Sequence, residues 1–521
     1  MVKFLPYRHK GRNHMARIGL LISFILIIIN GSIAQSREDL RVLTAGPIRT
    51  LDPSIAFDAE SILLANIYEP LVWLDETGEP TPALATSWQV SDDQLSWTFN
   101  LREGVFFHDG APLTAEAVVR SLNRTRYGFN TSAAYFWSPV LDISALDDLT
   151  VQITLMTPTP LALIVGAEYG AWIISPNALD AAEADPSWFD QGNAAGTGAY
   201  QLTSVTDNTY TLTRFDAYWG EPAQIRRVEI QVEPDMFERV RLQSDGEVDL
   251  AFFQPNAAFT PAFVEKGFKI ATYPSLVNIL AFLNTSRPPL DDVRVRQAIA
   301  YAIPYDNLVA LDHSGSSTQA RGAVPSIAYA HAPSTPQYYY DIEQARALIA
   351  ESGVNPADYT LWLTYSVEEY GLLSEIAPVL EAALLELGFG VNVQPTTLQE
   401  QYRIARRQSE TAEQDIALIR YVPGFAHGGV EHLATLFYDN PYLYLNFSYW
   451  QNPDYDSLVG QAIRTEDEAR YSQAQTMLVE ASPALFLLDE GRWFAIPPEL
   501  EGFTYNPYYA FTLFFATMHW E

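Results

Sequence analysis

The chain has 521 residues, 48% of them hydrophobic and none of them cysteine, with 31 Lys and Arg against 63 Asp and Glu for a formal charge of −32. Without cysteine there is no disulfide framework, no thiolate metal site and no thiol nucleophile. The acidity, with no basic stripe beyond the N-terminus, excludes a surface built to neutralise nucleic-acid phosphates.

The first 34 residues read as an export signal and are set aside from the fold. Lys3, Arg8, Lys10, Arg12 and Arg17 form a basic leader without an acid, an apolar run follows from Ile18 to Ile29, and Ser32-Ile33-Ala34 offers small residues to a signal peptidase. The run is shorter than the roughly 20 apolar residues of a bilayer span, which separates it from a membrane anchor. Met15 is an alternative start. Removal of the signal leaves 487 residues with 26 Lys and Arg against 63 acids, a charge of −37. Such a charge favours a soluble monomer. No cysteine follows the signal, so the expected product is a free periplasmic protein and not a lipoprotein. Its length exceeds the roughly 250–300 residues at which single cores stop growing, and two or more domains are expected.

In chain order, Trp97–Leu101, Val151–Leu155 and Tyr210–Thr213 alternate apolar and polar side chains, the period of half-buried strands. Helical segments interrupt them. Residues 114–125 open on Thr114 with Glu116 behind it and carry Val118, Val119 and Leu122 on one face. Residues 341–352 run from a capping Asp341 to Gly353, and 372–387 form an apolar-faced helix stopped by Gly388. The Pro-rich stretches 285–290 and 332–336 read as turns or surface loops. Strands mixed with helices along the whole length, with no repeat and no low-complexity linker, predict interwoven α/β lobes.

Familiar catalytic signatures are missing. There is no phosphate-binding Gly-rich loop ending in Lys-Ser or Lys-Thr, no Gly-x-Ser-x-Gly elbow and no His-Glu-x-x-His helix. Gly196-Thr-Gly198 lacks the third glycine of a dinucleotide fingerprint and reads as a tight turn before a strand. His427 and Glu431 are spaced as two ligands on one helical face, but Gly424, Gly428 and Gly429 argue against a helix there. No metal and no cofactor is expected.

Nine ordered segments resemble one family. They are LDPSIAFDAES (51–61), YEPLVWLDETGEPTPALATSW (68–88), WTFNLREGVFFHDGAPLTAEAVVRSL (97–122), GTGAYQLTSV (196–205), YWGEPAQIRRVEIQVEPD (218–235), GEVDLA (246–251), LNTSRPPLDDVRVRQAIAYAI (283–303), YDIEQARALIAESG (340–353) and GFTYNPYY (502–509). Together they resemble extracytoplasmic solute-binding protein family 5, the oligopeptide-, dipeptide- and nickel-binding receptors of ABC importers. The segments are mostly scaffold. Gly104 and Gly110 bracket a hairpin with Asp109-Gly110 at its turn, and Phe106 and Phe107 point to opposite faces, so one of them at most packs inward. His108 has no nucleophile or metal partner near it in sequence and reads as a hydrogen-bonding turn residue. Residues 292–303 read as a helix with Val293, Ala300 and Ile303 inside and Arg294 and Arg296 outside or paired.

The resemblance implies an α/β, two-lobed periplasmic-binding-protein fold with two hinge crossovers and an extra subdomain in the first lobe. Crossovers are expected near Leu276–Phe282 and Leu487–Trp493. The first lobe would comprise residues 35–77, 196–278 and 490–521, its extra subdomain 78–195, and the second lobe 279–489. It also implies a receptor that catalyses nothing, encloses one solute between its lobes and delivers it to membrane permease subunits, touching the membrane only through them.

Candidate cleft residues follow from the same resemblance. In the first lobe and at the first crossover they are Tyr135, Phe136, Trp137, Tyr169, Trp172 and Asn278; in the second they are Arg420, Tyr421, Phe425 and His427. For each aromatic the competing reading is core packing, and for Arg420 a salt bridge. Arg420 or Arg403 would hold an anionic group of the solute. The peptide-binding members carry a Trp and an Asp in the second-lobe loop, the Asp pairing with the peptide amine, whereas residues 420–433 read RYVPGFAHGGVEHL with neither. A buried ammonium left without a carboxylate costs several kcal/mol, so amine recognition requires a replacement, for which Glu431 is the candidate. The nickel receptors use an Arg near the segment matching 168–174, and that stretch has none. A peptide-like or other polar organic solute is therefore the leading expectation. The alternatives are an oligosaccharide receptor of the same fold, a periplasmic chaperone or scaffold without a small ligand, and a glycosidase with paired carboxylates, which spacing alone cannot assign.

Overall fold

Leu40 and Val42 are buried in a strand, Asp39–Thr44, that lies between two parallel partners, Arg227–Val232 and Leu250–Phe252. The structure is a computed structural model and describes residues 37–521 apart from 57–58, 129–131, 253–258, 313–314, 368–371, 407–412, 424–427 and 439–444. The expected signal, 1–34, lies outside the described residues. Thr209–Arg214 and Tyr200–Thr206 add to the Arg227–Val232 edge in antiparallel register and complete a five-stranded sheet.

A second, fully antiparallel sheet orders Ala85–Val90, Ser96–Leu101, Thr150–Leu155 and Val140–Asp147. Its alternation is the one predicted: Phe99 and Leu101, and Val151, Ile153 and Leu155, turn inward. Helix Ala115–Arg126 packs Val118 and Leu122 into the same core, and the Thr114 side chain caps it by accepting from Ala117 N–H. Helix Ile342–Ser352 likewise starts at Asp341, whose carboxylate accepts from Gln344 N–H, and ends at Gly353 with φ +75°.

The third sheet has six strands in the order Thr318–Gln319, Ala484–Asp489, Asn278–Leu283, Ile416–Tyr421, Thr360–Ser366 and Gly390–Thr396. Helices cover both faces, which is why its central strands run apolar over 279–283, 416–419 and 484–488. Leu280, Phe282, Ala417, Ile419 and Phe486 face helices Gly428–Phe437, Pro453–Thr465 and Glu468–Ala481. Ile279, Ala281, Leu283, Leu418 and Leu485 face helices Val293–Tyr301, Tyr305–Leu311, Ile342–Ser352 and Leu372–Glu386.

Three expectations need correction. The run 278–282 is no crossover but part of a fully buried central strand; the chain crosses at 274–277, and again at Glu490-Gly491, because Lys269–Tyr273 and Arg492–Ile496 pair with each other on the other side. Val293 is 37% exposed at the first turn of its helix, while Arg296 is buried. The Arg296 guanidinium donates to the carbonyls of Leu290, Asp291, Ala481 and Ser482, satisfying acceptors that the end of helix Glu468–Ala481 leaves open. Finally, a helix does begin at Gly428. Packing requires glycine in its first turn: a Cβ on Gly429 would stand 1.7 Å from the Tyr329 carbonyl oxygen.

Candidate functional site

The two crossings are bonded to each other. Ser275 Oγ donates to the Glu490 carbonyl at 2.5 Å, Glu490 N–H donates to the Val277 carbonyl at 2.9 Å, and Val277 N–H donates to Ser275 Oγ at 3.1 Å. Ser317 Oγ accepts from Gly491 N–H, and Gly491 packs so closely on Ser316 that a Cβ would stand 2.3 Å from the Ser316 Cβ.

Charged side chains gather there in the interior. Arg420 ends the strand Ile416–Tyr421 and closes on Glu490 through Nε at 2.5 Å and Nη2 at 3.0 Å, with both side chains buried. Arg492, equally buried, stands 4.0 Å from the same carboxylate. Tyr505, from the C-terminal segment, lies within electrostatic reach of Arg492, Arg420 and Glu168, and burial raises its pKa. Glu168 accepts from Phe511 N–H and from Thr512 Oγ1 at 2.7 Å. Groups from both lobes and from the second crossing thus form one buried polar cluster.

The opposite face of the six-stranded sheet carries a second set. Asn278 is directly opposite Asp489 on one neighbouring strand and Tyr421 on the other, so the three side chains share a face. Tyr421 hydroxyl donates to Glu431 Oε1 at 2.6 Å, and the His432 ring meets the Tyr421 ring edge-on at 4.9 Å. Asn278 Nδ2 donates to the Ala323 carbonyl at 2.8 Å, and Asp489 Oδ2 accepts from Ser326 N–H at 3.0 Å. The next carbonyl, Ile327, accepts from the Tyr508 hydroxyl at 3.2 Å, so residues 323–327 are held by the second lobe at one end and by the C-terminal segment at the other.

The remaining expected residues are placed elsewhere. Trp137 is buried in the core of the four-stranded sheet, its Nε1 donating to the Gly170 carbonyl at 3.1 Å, and Phe136 packs against that core. Trp172 is buried edge-on against Trp73 at 5.6 Å, and Tyr169 is buried beside Glu168 in the chain. Arg403 is half exposed on helix Leu398–Ala405 and spends its charge on Glu400, one turn earlier. The side chain of Tyr135, and Phe425 and His427 entirely, lie outside the described residues. His108 bridges the turn as expected, Nε2 lying 2.9 Å from the Gly198 carbonyl, and burial pushes its pKa down to about 4.

Sequence reasoning passed over Glu168, Asp489, Glu490, Arg492 and Tyr505. A signal existed for three of them: ALFLLDEGRWFAI (484–496) is a buried apolar run broken by two acids and an arginine. Charges in such a run are almost never buried unless paired or used. Two concavities lie apart from the crossings. One of about 880 Å³ lies on the far helical layer of the second lobe, lined by Tyr305, Tyr339, Tyr340 and Glu386, and one of about 260 Å³ by Glu69, Trp73, Tyr218 and Tyr509.

Comparison with known proteins bears on the whole arrangement. Residues 79–428 match the model of the bacterial extracellular solute-binding proteins, family 5. The chain is 29% identical over 506 residues to the Glutathione-binding protein GsiB of Escherichia coli, covering 94% of this chain and 96% of that protein. It is 27% identical over 500 residues to the Probable D,D-dipeptide-binding periplasmic protein DdpA of the same organism, with coverages of 91% and 93%. Among solved structures, the ABC transporter substrate-binding protein CtaP of Listeria monocytogenes superposes with a TM-score of 0.83 at 22% identity, over 93% of this chain and all of that one. A matched family model over most of the chain, and two lobes joined by paired crossings, identify it as a member of the bacterial extracellular solute-binding proteins of family 5.

Proposed function

We propose that the chain is a periplasmic receptor that shuts its two lobes over a small peptide-like solute at the crossings and presents it to the permease subunits of an ABC importer. The observation that carries this reading is the gathering of unsatisfied polar atoms there. Asn278 Oδ1, Asp489 Oδ1 and Arg492 Nε are all buried without a hydrogen-bond partner. Buried polar groups in folded proteins are bonded as a rule, so these three need partners, and water or a solute entering at the crossings can supply them. A solute with both hydrogen-bond donors and acceptors, as a peptide has, matches a site that offers both.

Arg420 is not the free anion receptor that its sequence suggested, because Glu490 already holds it; Arg492 is the better candidate for a solute carboxylate. Closure follows as a population shift, since a solute touching both lobes stabilises only the form in which both reach it. Residues 1–34 are removed on export in this reading, which N-terminal sequencing of the periplasmic protein checks by finding Gln35 first.

Thermal-shift measurement of the mature protein against glutathione, dipeptides, oligosaccharides and chelated nickel tests the solute class. A bound solute at a hundred times its Kd adds about 2.7 kcal/mol of stability. Stabilisation by peptides or glutathione supports the reading, and stabilisation by oligosaccharides or nickel chelates alone contradicts it.

A further inference from the structure

Among the described residues, Asn278 and Asp489 are the one directly paired couple in the six-stranded sheet whose side chains each keep a buried oxygen without a donor. Their other polar atoms are spent on one and the same segment: Asn278 Nδ2 on the Ala323 carbonyl and Asp489 Oδ2 on Ser326 N–H. Both side chains are thereby oriented, and the two remaining oxygens, Asn278 Oδ1 and Asp489 Oδ1, project from neighbouring strands on the same face. They are acceptors. Arg492, which follows Asp489 in the chain, and Arg420, on the strand beside Asn278, belong to the Glu490 cluster, with Arg420 on the opposite face of the sheet.

We propose that Asn278 and Asp489 form a subsite for the protonated amino group of the bound solute, with Asp489 supplying the counter-charge. The subsite rests on the reading of the protein as a receptor for peptide-like solutes and specifies how one end of that solute is held. An ammonium brings three donors and a positive charge to two orphan oxygens, one of them a carboxylate, and charge-assisted hydrogen bonds of this kind are the strong ones. Burial pushes the Asp489 carboxyl up to about 7 against the bond from Ser326 N–H, and an arriving ammonium brings the ionised form the counter-charge that this bond does not supply. Glu431, the carboxylate expected in this role from sequence, already accepts from the Tyr421 hydroxyl. The location suits the task, since the 323–327 segment over the pair is also the segment that Tyr508 reaches.

Titration calorimetry on the mature protein tests the subsite with glutathione and a panel of dipeptides, each compared with its N-acetyl form, in wild type and in Asp489→Asn. Wild type is expected to bind a free-amine peptide about 10- to 100-fold more tightly than the N-acetyl form. Asp489→Asn is expected to lose that preference, the free-amine and N-acetyl forms then binding alike. Should Asp489→Asn fold poorly, Asn278→Ala takes its place and is expected to weaken the same preference, and a preference unchanged by it overturns the subsite. Equal affinity for the two forms, or a preference that survives Asp489→Asn, overturns the subsite and leaves peptide binding intact. Failure of wild type to bind any peptide of the panel contradicts the peptide reading itself and the subsite with it.

Discussion

The Arg420 guanidinium closes on both oxygens of Glu490, joining a central strand of the second lobe to the second crossing between the lobes. The pair is buried on both sides, so neither charge can turn to water if the other is removed. Removing one partner of a buried pair costs about 3–5 kcal/mol, whereas replacing both with apolar residues is often close to neutral. Arg420→Met and Glu490→Met should each lower the urea midpoint strongly, and the double substitution should recover much of the loss. A double variant as unstable as the sum of the singles would mean that the two side chains act independently.

Gly491 lies within the second crossing with its open side against Ser316. A methyl group there would overlap the Ser316 carbonyl oxygen at 2.4 Å. Gly491→Ala should cost about 1–3 kcal/mol by overpacking. Gly104→Ala is the comparison: no atom lies within 4 Å, but φ is +73°, so only backbone strain of about 1–2 kcal/mol is expected. Melting temperatures of the two variants, and the sensitivity of each to a further Ser316→Gly substitution, separate the causes. Ser316→Gly should relieve Gly491→Ala in part, by removing the Cβ and Oγ contacts while leaving the carbonyl oxygen, and should leave Gly104→Ala unchanged.

Two buried acids set a pH dependence. Burial pushes Asp489 up to about 7 against the hydrogen bond from Ser326 N–H, and pushes Glu69 up to about 7 against bonds from Trp219 and Tyr218. The native protein keeps these protons where the unfolded chain has already released them. Stability of the solute-free protein therefore falls as pH rises from about 4 to about 7 and levels off above, each acid contributing up to about 1.4 kcal/mol per pH unit. Chemical denaturation across that range should show a shallower fall in Asp489→Asn than in wild type. An unchanged slope would mean that Asp489 is ionised in the native protein.

His108 works in the opposite direction. Its ring is held neutral against the Gly198 carbonyl and the Phe215 ring, with a pKa lowered to about 4 by burial. The unfolded chain takes up a proton at this position below about pH 6.5, so its stabilising effect is present above that pH and lost as pH falls towards 4. His108→Ala should cost about 1–3 kcal/mol at pH 7.5 by leaving the carbonyl unpaired, and the difference from wild type should shrink by pH 4.5. A constant difference would show that the imidazole titrates alike in the folded and unfolded protein, and so is not held neutral by burial.

Local devices were legible in the sequence. Thr114 with Glu116, and Asp341 with Gly353, mark helix ends because capping uses neighbours in the chain. Alternation in 97–101 and 151–155 located strands whose inner face is all apolar. What escaped depends on partners far away. Arg296 is buried because a helix end 185 residues later presents carbonyls to it, and Arg420 is neutralised by a glutamate 70 residues on. Trp137 and Trp172 had the composition of cleft residues, and tertiary packing drew both into cores instead. The crossover expected near Leu276–Phe282 came from the family resemblance, and the fully buried strand that occupies 278–283 carries no alternation to identify it.

Small-angle scattering of the mature protein, with and without a saturating solute already shown to raise its melting temperature, tests the two-lobed closure most directly. The radius of gyration should fall on binding, as lobes linked along the chain at 274–277 and Glu490-Gly491 come together over the guest. Superimposable curves with the solute demonstrably bound would contradict closure and leave a rigid binding protein in its place.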